Sequence, residues 1–246
     1  ERAFGRDGIR LLKECTIEGV ERRGKVKVVC LSCQDGTSAV EVDEILVGVG
    51  RAPNVEGLNL EEAGIRYDTI KGVQVNDYLQ TTNRRVYAAG DVCFPYKFTH
   101  TAEALAAIVI QNALFFRSRK TRSLIVPWST YTDPEVAHVG LSSEEARVRG
   151  IAVDCYLEDL REVDRAILDG EEEGFVEVLT RRGRDEILGA TIVARHAGEM
   201  IGEITVAMAA KVGLGALASI IHPYPTQAEG IKRAGRAYTR TRLTPR

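Results

Sequence analysis

The segment VYAAGDV at residues 86–92 limits the possible folds of this chain more than any other stretch. A short apolar run, read as a strand over 86–89, stops at Gly90 and hands over one carboxylate, Asp91, ahead of a long apolar helical run. Glycine lets a backbone or a ligand come close, and a carboxylate placed there accepts hydrogen bonds from sugar-like hydroxyls. The same residues also allow a plainer role for Asp91, as a helix cap or the head of an Asx-turn.

The pattern around it is mixed. Residues 25–31 and 39–42 flank the turn signal Asp35-Gly36 and read as a β-hairpin. Residues 45–49 form an apolar run ending at Gly50, as a buried strand does. Residues 60–64 read as a helical turn or two, and 73–76 and 86–89 as short strands bracketing TTNRR. Over 101–116, Ala102, Leu105, Ala106, Val109, Ile110 and Ala113 share one helical face. A basic linker at 117–122 and then Pro127 mark a domain boundary.

Beyond that boundary strands come first and helices after. Residues 136–141, 153–156, 175–179 and 187–194 read as strands, the last two joined around RRGRDE. SSEE at 142–145 is a capping box that starts a helix running to about Arg149. A helix over 197–212 stops at Gly213, and Thr226 caps a last helix reaching about Tyr238. This order predicts an α+β layer with an antiparallel sheet.

Composition removes several classes. A net charge of −2 with 28% charged residues does not suit a dedicated nucleic-acid or membrane-surface protein. No apolar run approaches the roughly 20 residues of a membrane helix. Five cysteines without regular spacing do not make a secreted disulfide framework, and a cytoplasmic location is expected. Cys30-Leu-Ser-Cys33 has a redox and zinc spacing, but no second pair follows for zinc and the pair sits in a hairpin strand, so ordinary strand cysteines are expected and no metal site.

Two further motifs join the first. GRAPN at 50–54 puts Gly50 and Arg51 at the carboxyl end of a strand, where open α/β sheets place ligand crevices, although Pro53-Asn54 is equally good turn chemistry. HPYPTQAEG at 222–230 sets Tyr224 between two prolines and Glu229 three residues after Thr226. That pair is also a plain capping box, and Tyr224 could be a rigid packed aromatic.

In this order and spacing, the three motifs resemble the C-terminal half of the flavin-dependent class I pyridine nucleotide–disulfide oxidoreductases, the family of mercuric reductase, dihydrolipoamide dehydrogenase and glutathione reductase. YTDPEVAHVGLSSEEA at 131–146 resembles the opening of that family's interface domain. The resemblance implies C-terminal remainders of NAD(P)- and FAD-binding Rossmann-like domains, at 1–57 and 58–122, followed by an α+β dimerisation domain at 123–246. It implies FAD and NAD(P)H as cofactors, a homodimer, and a small-molecule or metal-ion substrate.

Carried onto this chain, the resemblance gives Asp91 to the ribityl hydroxyls of FAD, with Gly90 beside it. Arg51 lies near the cofactors, and Thr99 and His100 open a helix pointing at the flavin's pyrimidine side. The thiol-handling members place a histidine immediately before Pro-Thr as proton donor and acceptor. Here Tyr224 occupies that place, Glu229 keeps the glutamate position, and His222 lies two residues early. Tyrosine, with an ordinary pKa near ~10, is a poor base at neutral pH; it donates a hydrogen bond or binds a soft metal as phenolate. Mercuric reductases resemble the chain at this point, yet their C-terminal cysteine pair is missing, since no cysteine follows Cys155.

No G-x-G-x-x-G phosphate loop occurs, nor a pair of cysteines four residues apart, and the chain opens ERAFGRDGIRLL. The expectation is a C-terminal piece of a longer enzyme that does not retain flavin by itself. Two alternatives stay open: a dihydrolipoamide dehydrogenase-like enzyme with His222 as displaced base, and a non-catalytic dimerisation module.

Overall fold

The computed structural model describes residues 1–243. The chain divides into two compact units, Glu1–Arg51 and Ala52–Arg246. In the first, α1 (Arg2–Arg6) precedes a three-stranded antiparallel sheet of β1 (Thr16–Arg23), β2 (Val26–Cys33) and β3 (Gly36–Val42), in the order β1-β2-β3. The expected hairpin is β2–β3. β1 escapes the sequence reading because its TIEGVERR carries almost no apolar alternation and lies largely exposed.

The expected strand over 45–49 does not form. Leu46 is 99% exposed, and these residues find no neighbouring strand among the described residues. A buried parallel strand requires partners on both sides, so an apolar run alone stays open chain. The cysteine reading also needs correction: Cys33 is joined to Cys15 by a disulfide, and only Cys30 of the C-x-x-C pair is a free strand cysteine. Cys15 gives no signal in the sequence because it stands outside any recognisable strand, one position beyond the Thr16–Ser32 pair that ends the β1–β2 ladder.

The second unit begins with loops tied by side chains. β4 (Tyr67–Asp68) and β5 (Gly72–Val73) are two residues each. The strand expected at 73–76 reduces to β5 plus an isolated bridge at Val75, and that expected at 86–89 to a single bridge between Gln80 and Tyr87. Asn residues replace the ladder: Asn76 accepts from the N–H groups of Tyr78 and Gln80, and Asn83 accepts from that of Arg85. Such side chains offer backbone groups an alternative to a sheet. Residues 60–64 make turns rather than helix.

α2 (Thr99–Leu114) forms where a helix is expected, but a different face is buried. Thr101, Leu105, Ile108 and Asn112 face the core, whereas Ile110 is exposed. Asn112 explains the rotation. Its amide donates to the Arg119 and Tyr78 carbonyls and accepts from the N–H groups of Ser118 and Arg119, stitching the basic linker to the helix. Around α2 a small core gathers Val55, Leu60, Ile65, Val73, Leu79 and Cys93.

The remainder is an α+β layer as expected. β6 (Trp128–Thr130), β7 (Glu135–Gly140), β8 (Val153–Asp159), β9 (Phe175–Arg181) and β10 (Ile187–Ala194) form one antiparallel sheet in the order β6-β7-β10-β9-β8. α3 (Ser143–Val148) starts on the predicted capping box, with Ser142 accepting from the Glu145 N–H and Glu145 from that of Ser142. α4 (Asp164–Asp169) follows β8. α5 (Ala197–Ala209) packs on β7 and β10, and α7 (Glu229–Arg242) on β8 and β9. Between them lies the four-residue α6 (Leu214–Leu217), unread in the sequence because it follows directly on Gly213. Val176, Val178, Ile192, Ile201, Ile204 and Ile231 fill the core between sheet and helices.

Thr226 does not cap α7. Its hydroxyl donates to the Pro223 carbonyl at 2.9 Å, and the helix begins three residues later, at Glu229, with Ala228 in the N-cap position. The prolines around Tyr224 already set a turn, and that turn takes the hydroxyl away from the helix end.

Candidate functional site

Asp91 sits where a close approach between chain segments is built from small residues. Gly90 has φ 84°, and a Cβ there would stand 3.2 Å from the Ala102 Cβ, so glycine is what lets this turn rest on the first turn of α2. The turn closes on itself through the Cys93 and Phe94 N–H groups, both donating to the Gly90 carbonyl. It is tied to β5 by the Val73 N–H, which donates to the Val92 carbonyl at 2.8 Å. Burial pushes the Cys93 thiol up to about 11, so it remains a neutral packing group below the turn.

α2 itself starts bare. Phe98 occupies the N-cap position, no side chain caps the helix, and no acidic residue sits in its first turn. Three helical turns and more of aligned peptide dipoles therefore end in N–H groups with no built-in acceptor, an end that favours negative charge. Thr99 and His100 occupy that first turn and are exposed. The His100 ring stacks on Phe98 with centroids 5.3 Å apart, and its Nε2 donates to the Pro127 carbonyl at 2.9 Å. His100 thus anchors the helix start to the segment entering β6. The buried Thr101 hydroxyl finds no hydrogen-bond partner.

A second group lies at the entrance to α7. Tyr224 is 71% exposed, and its phenol donates to Asp164 Oδ2 at 2.7 Å. That bond and the charge of Asp164 hold the Tyr224 pKa above its ordinary value, with Glu229 adding a small push in the same direction. The phenol is held as a proton-bearing donor, which disfavours the phenolate. Asp164 was invisible in the sequence because it stands 60 residues away, as the first residue of the short α4.

His222 is nearly enclosed, with 7% of its side chain exposed. Its Nδ1 meets the Ile220 carbonyl at 3.1 Å and its Nε2 meets Glu203 Oε1 at 2.9 Å. Glu203 comes from α5, so His222 pins the Tyr224 loop to that helix. Glu229 opens α7, and its Oε2 is buried with no hydrogen-bond partner, as are both amide atoms of Gln227. A buried polar group without a partner costs about 1–3 kcal/mol, so these atoms weigh against the stability of this end of the helix. Gln227 lies inside HPYPTQAEG, but nothing in the motif assigns it a role. On the loop itself Ile221 leaves apolar surface open, at 90% exposure, and on α5 Val206 is 67% exposed.

Gly50 and Arg51 close the first unit; both are exposed and Gly50 has φ 117°. The predicted residues thus fall into three places: the Gly90–His100 turn and helix start, the His222–Glu229 loop, and the end of the first unit.

Comparison with known proteins resolves the family. Residues 1–106 match the pyridine nucleotide-disulphide oxidoreductase model, and residues 126–235 match the dimerisation domain of pyridine nucleotide-disulphide oxidoreductases. The chain belongs to the class I pyridine nucleotide–disulfide oxidoreductases. Among curated members of the family, mercuric reductase from Staphylococcus aureus is 36% identical over 92% of this chain and 42% of its own length. Dihydrolipoyl dehydrogenase from Thermus scotoductus is 35% identical over 96% of this chain and 51% of its own. The chain spans about half the length of such relatives.

Among solved structures, LpdA from Mycobacterium tuberculosis superposes with a TM-score of 0.84 at 29% identity, covering 97% of this chain and 51% of that one. The HOCl-induced flavoprotein disulfide reductase RclA from Escherichia coli shares the fold at 23% identity and TM-score 0.84, over 94% of this chain and 53% of that one. The family's α+β dimerisation domain is therefore the five-stranded sheet with α5 and α7. No described helix is long and apolar enough to cross a membrane.

Proposed function

We propose that this chain is the C-terminal part of an FAD- and NAD(P)H-dependent oxidoreductase of the mercuric reductase-like branch, acting on a metal ion or another small acceptor at the interface of a cytoplasmic homodimer. In this reading residues 1–57 end the nicotinamide-binding domain, 58–122 complete the flavin domain and 123–246 form the dimerisation domain. The carrying observation is the glycine-enabled Gly90–Asp91 turn resting on the bare N-terminus of α2. A sugar-like chain with hydroxyls and an electron-rich ring fits this pair of features: Asp91 would accept from the hydroxyls, and the helix end at Thr99 and His100 would face the ring's negative side. FAD, when bound, supplies the two-electron chemistry; the protein's part is to bind and orient.

At the other group, Asp164 holds the proton on Tyr224 and aims its phenol outward. His222, gripped by Glu203, fixes the loop, and Glu229 with Gln227 supplies unsatisfied polar atoms behind it. The exposed apolar surface beside Tyr224 supports a second copy of the chain as the partner that covers it. By the family resemblance, Gly50 and Arg51 are proposed as cofactor-binding residues.

The deciding experiment is metal-ion reduction and diaphorase activity of the whole enzyme bearing Tyr224→Phe. Loss of the first well beyond the second supports the role; equal loss of both sinks it. The dihydrolipoyl dehydrogenase relatives favour a second reading with disulfide chemistry. It predicts dihydrolipoamide activity that disappears with His222→Ala. A dimer with no redox activity in any assay would leave only an assembly module.

A further inference from the structure

The one covalent cross-link among the described residues has no part in the site above. Cys15 stands immediately before β1 and Cys33 is the last residue of β2. The pairing Thr16↔Ser32 makes them the next facing positions across the antiparallel ladder, and they are disulfide-bonded with Cα atoms 4.1 Å apart. Cys30 lies three residues before Cys33 in the same strand, so alternation turns it to the opposite face. The apparent C-x-x-C is therefore not the bonded pair; Cys15 and Cys33 are.

Three features distinguish this link from a buried staple. First, both cysteines are only partly buried. They line a groove of about 550 Å³ together with Arg10, Leu11, Leu12 and Thr37, so a small nucleophile can reach the sulfurs. Second, the sheet does not depend on the link. β1 and β2 pair from Thr16↔Ser32 to Arg23↔Val26 and β2 and β3 from Lys27↔Val42 to Cys33↔Gly36, with the cross-link beyond the end of the first ladder. Third, what the link does restrain is the segment leading into β1, where Ile9, Leu11 and Leu12 are exposed. A bond that is accessible, dispensable to the sheet and restrictive for one segment has the properties of a reversible tether. On the cytoplasmic reading, a disulfide that persists among reducing thiols belongs to the exchanging or sensing kind.

We propose that Cys15 and Cys33 form a thiol–disulfide exchange site, opened by a small monothiol of the glutathione class, that clamps and releases the segment immediately ahead of β1. The thiolate of one small-thiol molecule attacks one of the two sulfurs, forming a mixed disulfide and releasing the other cysteine as thiolate, which takes up a proton. A second small thiol attacks the mixed disulfide, leaving two cysteine thiols and one oxidised small-thiol disulfide. Two electrons pass from two small thiols to the protein disulfide, and the sequence runs backwards when the oxidised form is in excess.

The test equilibrates the folded protein in glutathione buffers from oxidised to reduced, traps thiols by alkylation and reads each cysteine by mass spectrometry. Cys15 and Cys33 should convert together and reversibly between one linked peptide and two alkylated ones, while Cys30, Cys93 and Cys155 do not follow them. In parallel, limited trypsin cleavage after Arg10 and Lys13 should run roughly threefold or more faster in the reduced form. Cys33→Ser and, separately, Cys15→Ser should each give the fast cleavage in every buffer. A pair that stays linked in excess reduced glutathione, or never links in excess oxidised glutathione, overturns the exchange site. Cleavage at the same rate in both forms overturns the clamp.

Discussion

Gly72→Ala tests whether the Asp91 turn is held from behind in the way the structure implies. Gly72 is buried at φ 88°, and a Cβ there would stand 2.1 Å from the Val92 carbonyl oxygen and 3.1 Å from Pro53 Cβ. The atom in the way is backbone, and it is the acceptor for the Val73 N–H. The left-handed conformation costs alanine roughly 1–2 kcal/mol. Forcing extra volume into packed structure adds about 1–3 kcal/mol, and weakening the Val73–Val92 hydrogen bond about 1 kcal/mol more. The substitution should therefore destabilise the second unit by about 3–6 kcal/mol, a large share of the roughly 5–15 kcal/mol that holds a domain folded.

Gly57→Ala is the matched control. It has φ 72° with nothing within 4 Å of the added carbon, so it carries only the same conformational cost of roughly 1–2 kcal/mol. Urea unfolding followed by circular dichroism gives both values, and flavin content of the whole enzyme reads the displaced Asp91 next to Val92. If Gly72→Ala costs no more than Gly57→Ala, the Val92 contact does not position the turn and the reasoning fails.

Asp164→Asn should lower the Tyr224 pKa toward the ordinary tyrosine value, read as an alkaline shift in ultraviolet absorbance that begins at lower pH than in wild type. Because Asp164 raises that pKa in the folded protein, its contribution is complete below the ordinary value near ~10 and is lost as pH rises through the folded value. An unchanged titration would remove Asp164 from the site. Cys155 is pushed up to about 11 by burial first and by Glu177 second. Glu177→Gln should therefore speed its alkylation near pH 8 and leave that of Cys93 as it was, which peptide mapping resolves. Glu203→Gln should loosen the Ile220–Thr226 turn and expose His222, measurable as faster proton exchange of its ring; an unmoved exchange rate would mean that Glu203 does not hold the loop.

The parts of the fold legible in the sequence were those with their own local signals. The capping box at Ser142 and the apolar strand at Ile187–Ala194 read directly, because each carries its structure in adjacent residues. The strand expected at 45–49 failed for the opposite reason: its pattern was right, but a strand exists only against a partner. β1 had the partner without the pattern. Thr226 shows two local signals in competition, where the turn between prolines took the hydroxyl that the capping box needed.

The same division runs through the candidate site. Asp91, Tyr224 and Glu229 announce themselves through motifs. Asp164 and Glu203 do not, since their roles arise from contacts across 60 and 19 residues, and Gln227, though inside HPYPTQAEG, is singled out only by its burial. Cys15 is of this second kind, and only the register of β1 against β2 makes it the partner of Cys33.

The central claim is that the Gly90–Asp91 turn and the start of α2 hold a flavin. The most direct measurement is the visible absorption spectrum and flavin stoichiometry of the protein isolated from its own cells, beside the Asp91→Ala variant expressed there in its place. The account predicts a flavin band in the native protein that is lost or sharply reduced in the variant, with the fold intact by circular dichroism. A native protein without flavin, or a variant that retains it in full, would contradict the account.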